Sequence, residues 1–349
     1  MLFNEKPFYL FGMGSREKYI YSDGKLFRYP CTEPVFSADV LSEEILPAEY
    51  TVRLVTADGK ITLYENEDGF YLCREGGEPQ CLTAGHVRLP SFDGYKYRDQ
   101  LRILHGEILV NIYEGHPVPS FLVYRTPWYR DGAMMAMVLR ETGNLCLIAD
   151  WAAGLDSLYD CNNAGMEEPD NLGQLLYLLA LTGNRDHKLI GPAIEEAKRR
   201  SVDGTLTGKT DFSEHPVYST KWMKLGLDAL GLDSSWLNVP DSGESYAKLF
   251  WMDGHQETYT EVGYNEKYPY LTWAAIHSAG LPVPEDRIAP VYPMSLEIRA
   301  SQADYPSEAP FFPALAENRC SAPHTWHASE MFLYLINFKK KENDHARIC

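Results

Sequence analysis

Five stretches of the sequence combine aromatic residues or a proline with charged or hydrogen-bonding residues, each at a predicted helix start. They are residues 127–132 (PWYRDG), 167–171 (EEPDN), 215–222 (HPVYSTKW), 264–270 (YNEKYPY) and 322–327 (APHTWH). Proline, aspartate, serine and threonine are common at helix starts because they fit the first turn or accept its free N–H groups. Capping does not explain Trp128, Arg130, Trp222, Trp326 or His327 at such places. These residues therefore predict a ligand site built from helix starts, where rings and charges could hold a sugar.

Carboxyl groups accompany two of these starts. Glu167, Glu168 and Asp170 form an acidic group at the second one, and Glu330 lies about one helical turn after Trp326. Neighbouring negative charges raise a carboxyl pKa, so one of the first three could stay protonated. A pair of carboxyl groups, one protonated and one ionised, is what hydrolysis of a glycosidic bond requires.

The N-terminal third of the chain alternates apolar and polar residues in short runs. Turn-forming pairs separate these runs: Asp23-Gly24, Asp58-Gly59, Asp68-Gly69 and Gly76-Gly77. Such pairs between alternating runs are typical of β-hairpins. Residues 101–104 and 108–112 are expected to be the last strands. We predict an antiparallel β-rich domain, a meander or sandwich, over residues 1–122.

Beyond residue 125 the apolar residues recur every three to four positions, which indicates helices. Four of these helices are predicted to end at glycines spaced 40, 48 and 49 residues apart: Gly143, Gly183, Gly231 and Gly280. Glycine is common there because it adopts the left-handed conformation that closes a helix. A period of this length predicts stacked helical hairpins, as an open solenoid or a closed toroid.

Polar and aromatic residues at the helix starts favour the closed form, since the starts would ring one mouth with their N–H groups. Further helices are expected at 190–200, about 294–301 and about 325–340. The predicted fold class is therefore mainly α: an (α/α) helical-hairpin toroid over residues 123–349, preceded by the smaller β-rich domain.

The segments TPWYRDGAMMAMVL and APHTWHASEMFLYL resemble helix starts of the six-hairpin glycosidases, above all the glucoamylase-like family. The resemblance implies that Arg130 and Asp131 hold sugar hydroxyls and that Glu168 is the catalytic acid. It implies that Glu317, in ALAENRCSAPHTW, is the base. Asp170 is a competing acid, because related uronide hydrolases use an aspartate.

Several assignments within this site stay open. Glu167, Glu168 or Asp170 could be the acid, and Glu317 or Glu330 the base. Trp128, Arg130, Asp131, Trp222, Trp326 and His327 are the expected substrate-binding residues. The chemistry is expected to be inverting, although retention needs the same residue types closer together.

Composition limits the partners of the chain. The 349 residues include 32 basic and 49 acidic ones, a net charge of −17, which opposes binding to nucleic acid or an anionic membrane. No apolar run is long enough to span a bilayer and no secretory signal is recognisable. The odd number of cysteines, seven, indicates reduced thiols and a cytoplasmic location. Neither a cofactor nor a metal is predicted, and the oligomeric state is open.

The sequence thus predicts an intracellular glycoside hydrolase acting on a small oligosaccharide or glycoside. One alternative is a uronide hydrolase, polysaccharide lyase or sugar epimerase, for which Arg130, Lys221 and Lys267 would bind the acidic sugar. The other is a non-catalytic carbohydrate-binding or helical-repeat interaction protein.

Overall fold

The structure, a computed structural model, describes residues 5–241, 272–273, 288–298 and 303–339. In this part of the chain helices account for 36% of the residues and strands for 23%. The fold begins with two antiparallel sheets, which precede the helices and several short β-ribbons.

The first sheet has four antiparallel strands that pair in sequence order: β1 (Phe8–Phe11), β2 (Tyr19–Ser22), β3 (Lys25–Arg28) and β4 (Pro34–Ser37). The predicted turn between β2 and β3 is present. Asp23 and Gly24 have φ angles of 50° and 72°. A two-residue hairpin turn with both residues at positive φ matches the twist of the strands that it joins.

The second sheet has five antiparallel strands, again in sequence order: β5 (Val40–Leu46), β6 (Thr51–Thr56), β7 (Gly59–Glu65), β8 (Gly69–Arg74) and β9 (Gln80–Ala84). The turns predicted at Asp58-Gly59, Asp68-Gly69 and Gly76-Gly77 connect these strands. The two sheets share one apolar core, in which the rings of Phe11 and Phe70 stack with centroids 4.2 Å apart.

The prediction of strands at 101–104 and 108–112 is wrong over most of these residues. Residues Arg98–Val110 form one helix, α1. Leu101, Leu104 and Ile108 have the spacing of one helical face, and all three are fully buried. The short apolar runs also fit the pattern of a strand, so periodicity alone does not distinguish a helix from a strand here.

The other helices lie after residue 128. They are α2 (Tyr129–Thr142), α3 (Ala149–Ala153), α4 (Asn162–Gly165), α5 (Asp170–Leu181), α6 (Ile190–Arg200), α7 (Pro216–Leu230), α8 (Tyr305–Glu308), α9 (Pro313–Glu317) and α10 (Thr325–Leu335). Short 3-10 helices span Pro47–Glu49 and Leu145–Ile148. In the described part of the chain, none of the helices has both the length and the apolar character needed to cross a bilayer.

Two-stranded ribbons lie between these helices. They pair β10 (Ile112–Tyr113) with β11 (His116–Pro117), β12 (Ser201–Val202) with β13 (Thr205–Leu206), β14 (Lys209–Thr210) with β15 (Ser213–Glu214), and β16 (Glu297–Ile298) with β17 (Cys320–Ser321). The helix predicted at 294–301 is therefore wrong where the structure describes it, because strand β16 lies there.

The glycine helix ends are confirmed at three places. Gly143, Gly183 and Gly231 have φ angles of 74°, 82° and 73°, directly at or after the ends of α2, α5 and α7. The helix predicted at 190–200 is confirmed as α6. Gly280 and Lys267 lie outside the described residues.

The predicted fold class, a mainly α helical-hairpin toroid, is wrong. The described residues contain 10 helices of unequal length together with several antiparallel sheets, and only about a third of these residues are helical. The physical reason is that a glycine cap marks the end of a helix and carries no information on the structure of the next segment. Between α6 and α7, for example, the chain forms the ribbons β12–β13 and β14–β15. The division into domains at residues 122 and 123 stays a prediction.

Helices α5 and α7 approach each other closely at two glycines. A Cβ atom on Gly173 would lie 2.2 Å from the backbone carbon of Trp222, and one on Gly226 would lie 2.6 Å from the carbonyl oxygen of Gly173. No side chain fits between these backbones. The contact fixes how Asp170, at the start of α5, lies relative to the start of α7.

Substitution of Gly173 with alanine should therefore destabilise the protein. We expect a loss of about 1–3 kcal/mol in the free energy of unfolding, because the added methyl group forces two helices apart. The control is Gly154→Ala at the end of α3, where a Cβ would meet its nearest atom at 3.4 Å. Urea unfolding of both variants measures the difference, and equal stability would contradict the close approach.

Candidate functional site

The candidate site lies where α2, α5, α7 and α10 begin. Arg130 and Asp131 belong to the first turn of α2, and Asp170 is the first residue of α5. Trp326 belongs to the first turn of α10. Contacts between side chains at these four starts bring together residues that are up to about 200 positions apart in sequence.

The guanidinium of Arg130 is the centre of this site. Its Nη2 lies 2.8 Å from Oε2 of Glu168, and its Nε lies 3.6 Å from Oδ2 of Asp170. All three side chains are at most 4% exposed. The guanidinium also lies over the Trp326 ring, 5.1 Å from its centroid, at a distance typical of a cation–π contact.

Both carboxylates paired with Arg130 accept further hydrogen bonds. Oε1 of Glu168 accepts one from Nδ2 of Asn163 at 3.0 Å and one from the backbone N–H of Asp211. Asp170 accepts from the Thr210 hydroxyl and from Nε2 of Gln174, each at 2.7 Å. Burial raises the pKa of Asp170 to about 6, with Arg130 opposing the shift and Glu168 adding to it.

Glu330 lies one turn along α10 from Trp326. Its Oε1 accepts a hydrogen bond from the indole Nε1 of Trp326 at 3.1 Å. Its Oε2 is buried and has no hydrogen-bond partner among the described residues. Burial raises the pKa of Glu330 to about 8, so this carboxyl is neutral at pH 7. Arg130 contacts the ring of Trp326 rather than the Glu330 carboxyl.

Asp131 has one carboxyl oxygen in a hydrogen bond and one without. Its Oδ1 accepts a hydrogen bond from the Thr325 hydroxyl at 2.9 Å, whereas its buried Oδ2 has no partner in the described part of the chain. Burial raises the pKa of Asp131, and the charges of His324 and Arg130 oppose the rise. An orphaned buried acceptor is costly unless a ligand donor pairs with it.

The aromatic and histidine residues predicted for the site lie in different surroundings. Trp128 is half-buried against Tyr124, with ring centroids 5.1 Å apart. Trp222 is fully buried and packs edge-on against Tyr177 and Tyr218. His327 is buried with its ring 5.2 Å from that of His324.

Two predicted carboxylates lie outside the Arg130 cluster. Glu317 is exposed at the last residue of α9. Glu167 is exposed and pairs with Arg200 at 2.8 Å. The structure thus brings Glu168, Asp170 and Glu330 together around Arg130 and Trp326, and it places Glu317 on the surface. The catalytic roles of these residues stay predictions.

Sequence reasoning missed the residues that satisfy the buried carboxylates. Thr210 and Gln174 hold Asp170, and Asn163 holds Glu168. Gln174 is four positions after Asp170, and this spacing predicts that the two side chains are neighbours on one helical face. Thr210 lies in strand β14, 40 residues from Asp170, and no local pattern predicts that contact.

Comparison of the chain with known protein families, with curated proteins and with solved structures finds no match. The resemblance to the six-hairpin glycosidases is therefore wrong as a family assignment: no family matches, and the described fold is not a helical toroid. The two segments that suggested it are short, and an aromatic–Arg–Asp helix start can arise in any fold that buries an arginine between helix ends.

Replacement of Arg130 by methionine should strongly destabilise the protein at pH 7. It would leave Glu168 and Asp170 buried without their cation, a loss that typically costs about 3–5 kcal/mol. The pKa of Asp170 would rise further above its unfolded value, because the charge that opposes the rise is gone. A carboxyl of raised folded pKa stabilises at low pH and loses this contribution as the pH rises, so the deficit should shrink towards pH 5.

Urea unfolding at the two pH values tests this expectation. The control is Arg53→Met, which removes an exposed arginine paired with Glu44 and Glu49 and should change little. A deficit for Arg130→Met that is as small as the control's, or that grows as the pH falls, would contradict the account.

Proposed function

We propose that this chain is a glycoside hydrolase that cleaves a small oligosaccharide or glycoside at the helix-start cluster. Glu330 is the proton donor and Asp170 is the carboxylate that activates water. The observation that carries the proposal is that one arginine–tryptophan pair contacts two buried carboxyls: Arg130 lies beside Asp170, and the Trp326 indole donates a hydrogen bond to Glu330.

The different surroundings of the two groups support this division of roles. Asp170, with a pKa of about 6, lies beside Arg130 and is ionised at pH 7. Glu330, with a pKa of about 8, accepts a hydrogen bond from the Trp326 indole and is protonated at pH 7. Titratable pairs whose environments push their pKa values apart are typical of acid–base catalysis. Tyr218 lies close enough to Arg130, Asp170 and Glu330 for the ionised form of each to shift its pKa, which supports a compact site.

The proposed reaction uses these two states directly. The Glu330 carboxyl transfers its proton to the glycosidic oxygen as the bond to the anomeric carbon breaks. Asp170 takes a proton from water, and the water oxygen bonds to the anomeric carbon. Inversion at that carbon remains the expectation, and the anomer first formed reports it.

Three predicted residues suit the binding of the sugar. The half-buried rings of Trp128 and Trp326 offer apolar surfaces at the helix starts. The buried Oδ2 of Asp131, which has no partner among the described residues, can accept a hydrogen bond from a sugar hydroxyl. Such a bond would relieve its unsatisfied burial. We assign Asp131 to substrate binding for this reason.

The charge of Arg130 argues against the uronide alternative. Its guanidinium already pairs with Glu168 and lies near Asp170, so a uronate carboxylate would compete with two protein carboxylates for one cation. An uncharged sugar meets no such penalty. The proposal therefore names neutral glycosides as substrates.

Glu330→Gln and Asp170→Asn should each lower kcat by about 100-fold or more, because each removes a proton-transfer group. Asp131→Asn should mainly raise KM. The control is Glu308→Gln, which replaces a buried carboxyl outside the cluster. Burial raises the pKa of Glu308 to about 9, so this group is also protonated at pH 7. Release of nitrophenol from a panel of neutral nitrophenyl glycosides measures all four, and full activity in both catalytic variants would contradict the proposal.

The pH dependence of the wild-type rate provides a separate check. Activity should fall below about pH 6, where Asp170 becomes protonated, and above about pH 8, where Glu330 loses its proton. In the Glu330→Gln variant, any residual rate should no longer fall as the pH rises above about 8. Stabilisation of the fold by a monosaccharide without turnover of any glycoside would instead indicate a carbohydrate-binding protein.

A further inference from the structure

A cavity of about 600 Å³ lies at the opposite ends of the same helices. Arg140 and Glu141 are in the last turn of α2, Ala229 is in the last turn of α7, and Leu333 is near the end of α10. Glu330 contributes to its wall from the middle of α10. Small-molecule sites typically have volumes of about 300–1,000 Å³, so the size suits an organic ligand.

Most of the wall is apolar or aromatic. Met137, Leu225 and Leu333 supply aliphatic surface, and the rings of Tyr177 and Tyr334 face the same space. A ligand that fills the cavity would therefore bury a mainly apolar body, and this burial would supply most of its binding free energy.

The charged groups of the wall are not equivalent. The Arg140 guanidinium hydrogen-bonds Oε1 of Glu141 through Nη2 at 3.0 Å and Nε at 3.3 Å, and both side chains are about half exposed. Their charges compensate each other at the edge of the cavity. Glu330 is 6% exposed, and its Oε2 has no hydrogen-bond partner in the described residues. It is the wall carboxyl that a ligand could satisfy.

The ends of the helices favour a positively charged ligand over a negatively charged one. α2, α7 and α10 all end beside this cavity, and the last turns of helices carry partial negative charge on their carbonyl groups. A carboxylate ligand would be repelled by these ends and would oppose the ionisation of Glu330. A ligand cation would be attracted by these ends and would stabilise the ionised form of Glu330.

We propose that this cavity is a second ligand site, which binds a small primary amine with an apolar, aromatic body and places the amine beside Glu330. The ammonium group pairs with the Glu330 carboxylate, whose proton is released to solvent, so the buried charges balance. This inference goes beyond the proposed hydrolase, because it concerns binding at the other ends of the helices and needs no turnover. The two sites share Glu330, so a bound amine would also remove the proton of the proposed acid.

Titration calorimetry at pH 7 with three matched probes tests the proposal on the full chain. The probes are tryptamine, tryptophol and indole-3-acetate, which share the indole and differ in the charged group. Tryptamine should bind about tenfold or more tightly than tryptophol, as expected for a hydrogen bond to a charged partner, and indole-3-acetate should bind most weakly. Glu330→Gln should reduce tryptamine to the affinity of tryptophol.

Ala229→Phe is the second variant, because it fills the cavity from α7 and leaves Glu330 in place. It should abolish the binding of both tryptamine and tryptophol. Ala57→Phe, in the exposed turn between β6 and β7, is the control and should leave all affinities unchanged. Thermal melting of each variant establishes that it is folded.

Three results would overturn the proposal. Equal or tighter binding of tryptophol would show that the cavity does not select an amine. Unchanged tryptamine binding in Ala229→Phe would place the ligand elsewhere. The absence of binding by all three probes would show that the cavity is not a site for such ligands, whatever the result of the glycosidase assays.

Discussion

The buried charge of Arg130 is the constraint on which the helix-start cluster depends. Glu168 and Asp170 are removed from water at the start of α5, and burial of two carboxyl groups beside each other is costly unless a cation pairs with them. Arg130 is in turn held by its own position in the first turn of α2 and by the Trp326 ring of α10. The two ion pairs of Arg130 and its contact with the Trp326 ring thus link three helix starts. The glycine contact between α5 and α7 sets the position of the fourth.

The same arginine explains why neighbouring carboxyls differ in charge. Its charge lowers the pKa of Asp170 directly, whereas Glu330 receives a hydrogen bond from the neutral Trp326 indole. Burial raises the pKa of both groups, and the cation opposes the rise for Asp170. An acid and a base can therefore lie in one buried cluster at neutral pH. The oxygens of Asp131 and Glu330 that lack a partner in the described residues mark where ligands could pair with the protein.

Local signals in the sequence predicted local structure well. The Asp-Gly turns, the glycine caps and the boundaries of α6 depend on a few adjacent residues, and each is present wherever the structure describes the residues concerned. Contacts between residues far apart in the chain, and the choice between helix and strand, were harder to predict from the sequence. The partner of Asp170 in β14 is 40 residues away, and helix α1 has apolar runs that fit a strand equally well. The aromatic–Arg–Asp start and the Glu168–Asp170 group were found from residue types alone. The exposure of Glu317 could not be predicted in this way, because it depends on which residues pack around α9.

The central claim is that Glu330 is neutral and Asp170 ionised around one arginine at pH 7. Carbon-13 NMR titration of the labelled side-chain carboxyls, assigned with Glu330→Gln and Asp170→Asn, measures this directly. The account predicts a Glu330 carboxyl that titrates near pH 8 and an Asp170 carboxyl that titrates near pH 6. A Glu330 that titrates at its ordinary value of 4.5 would contradict it, since the cluster would then hold no proton donor at neutral pH.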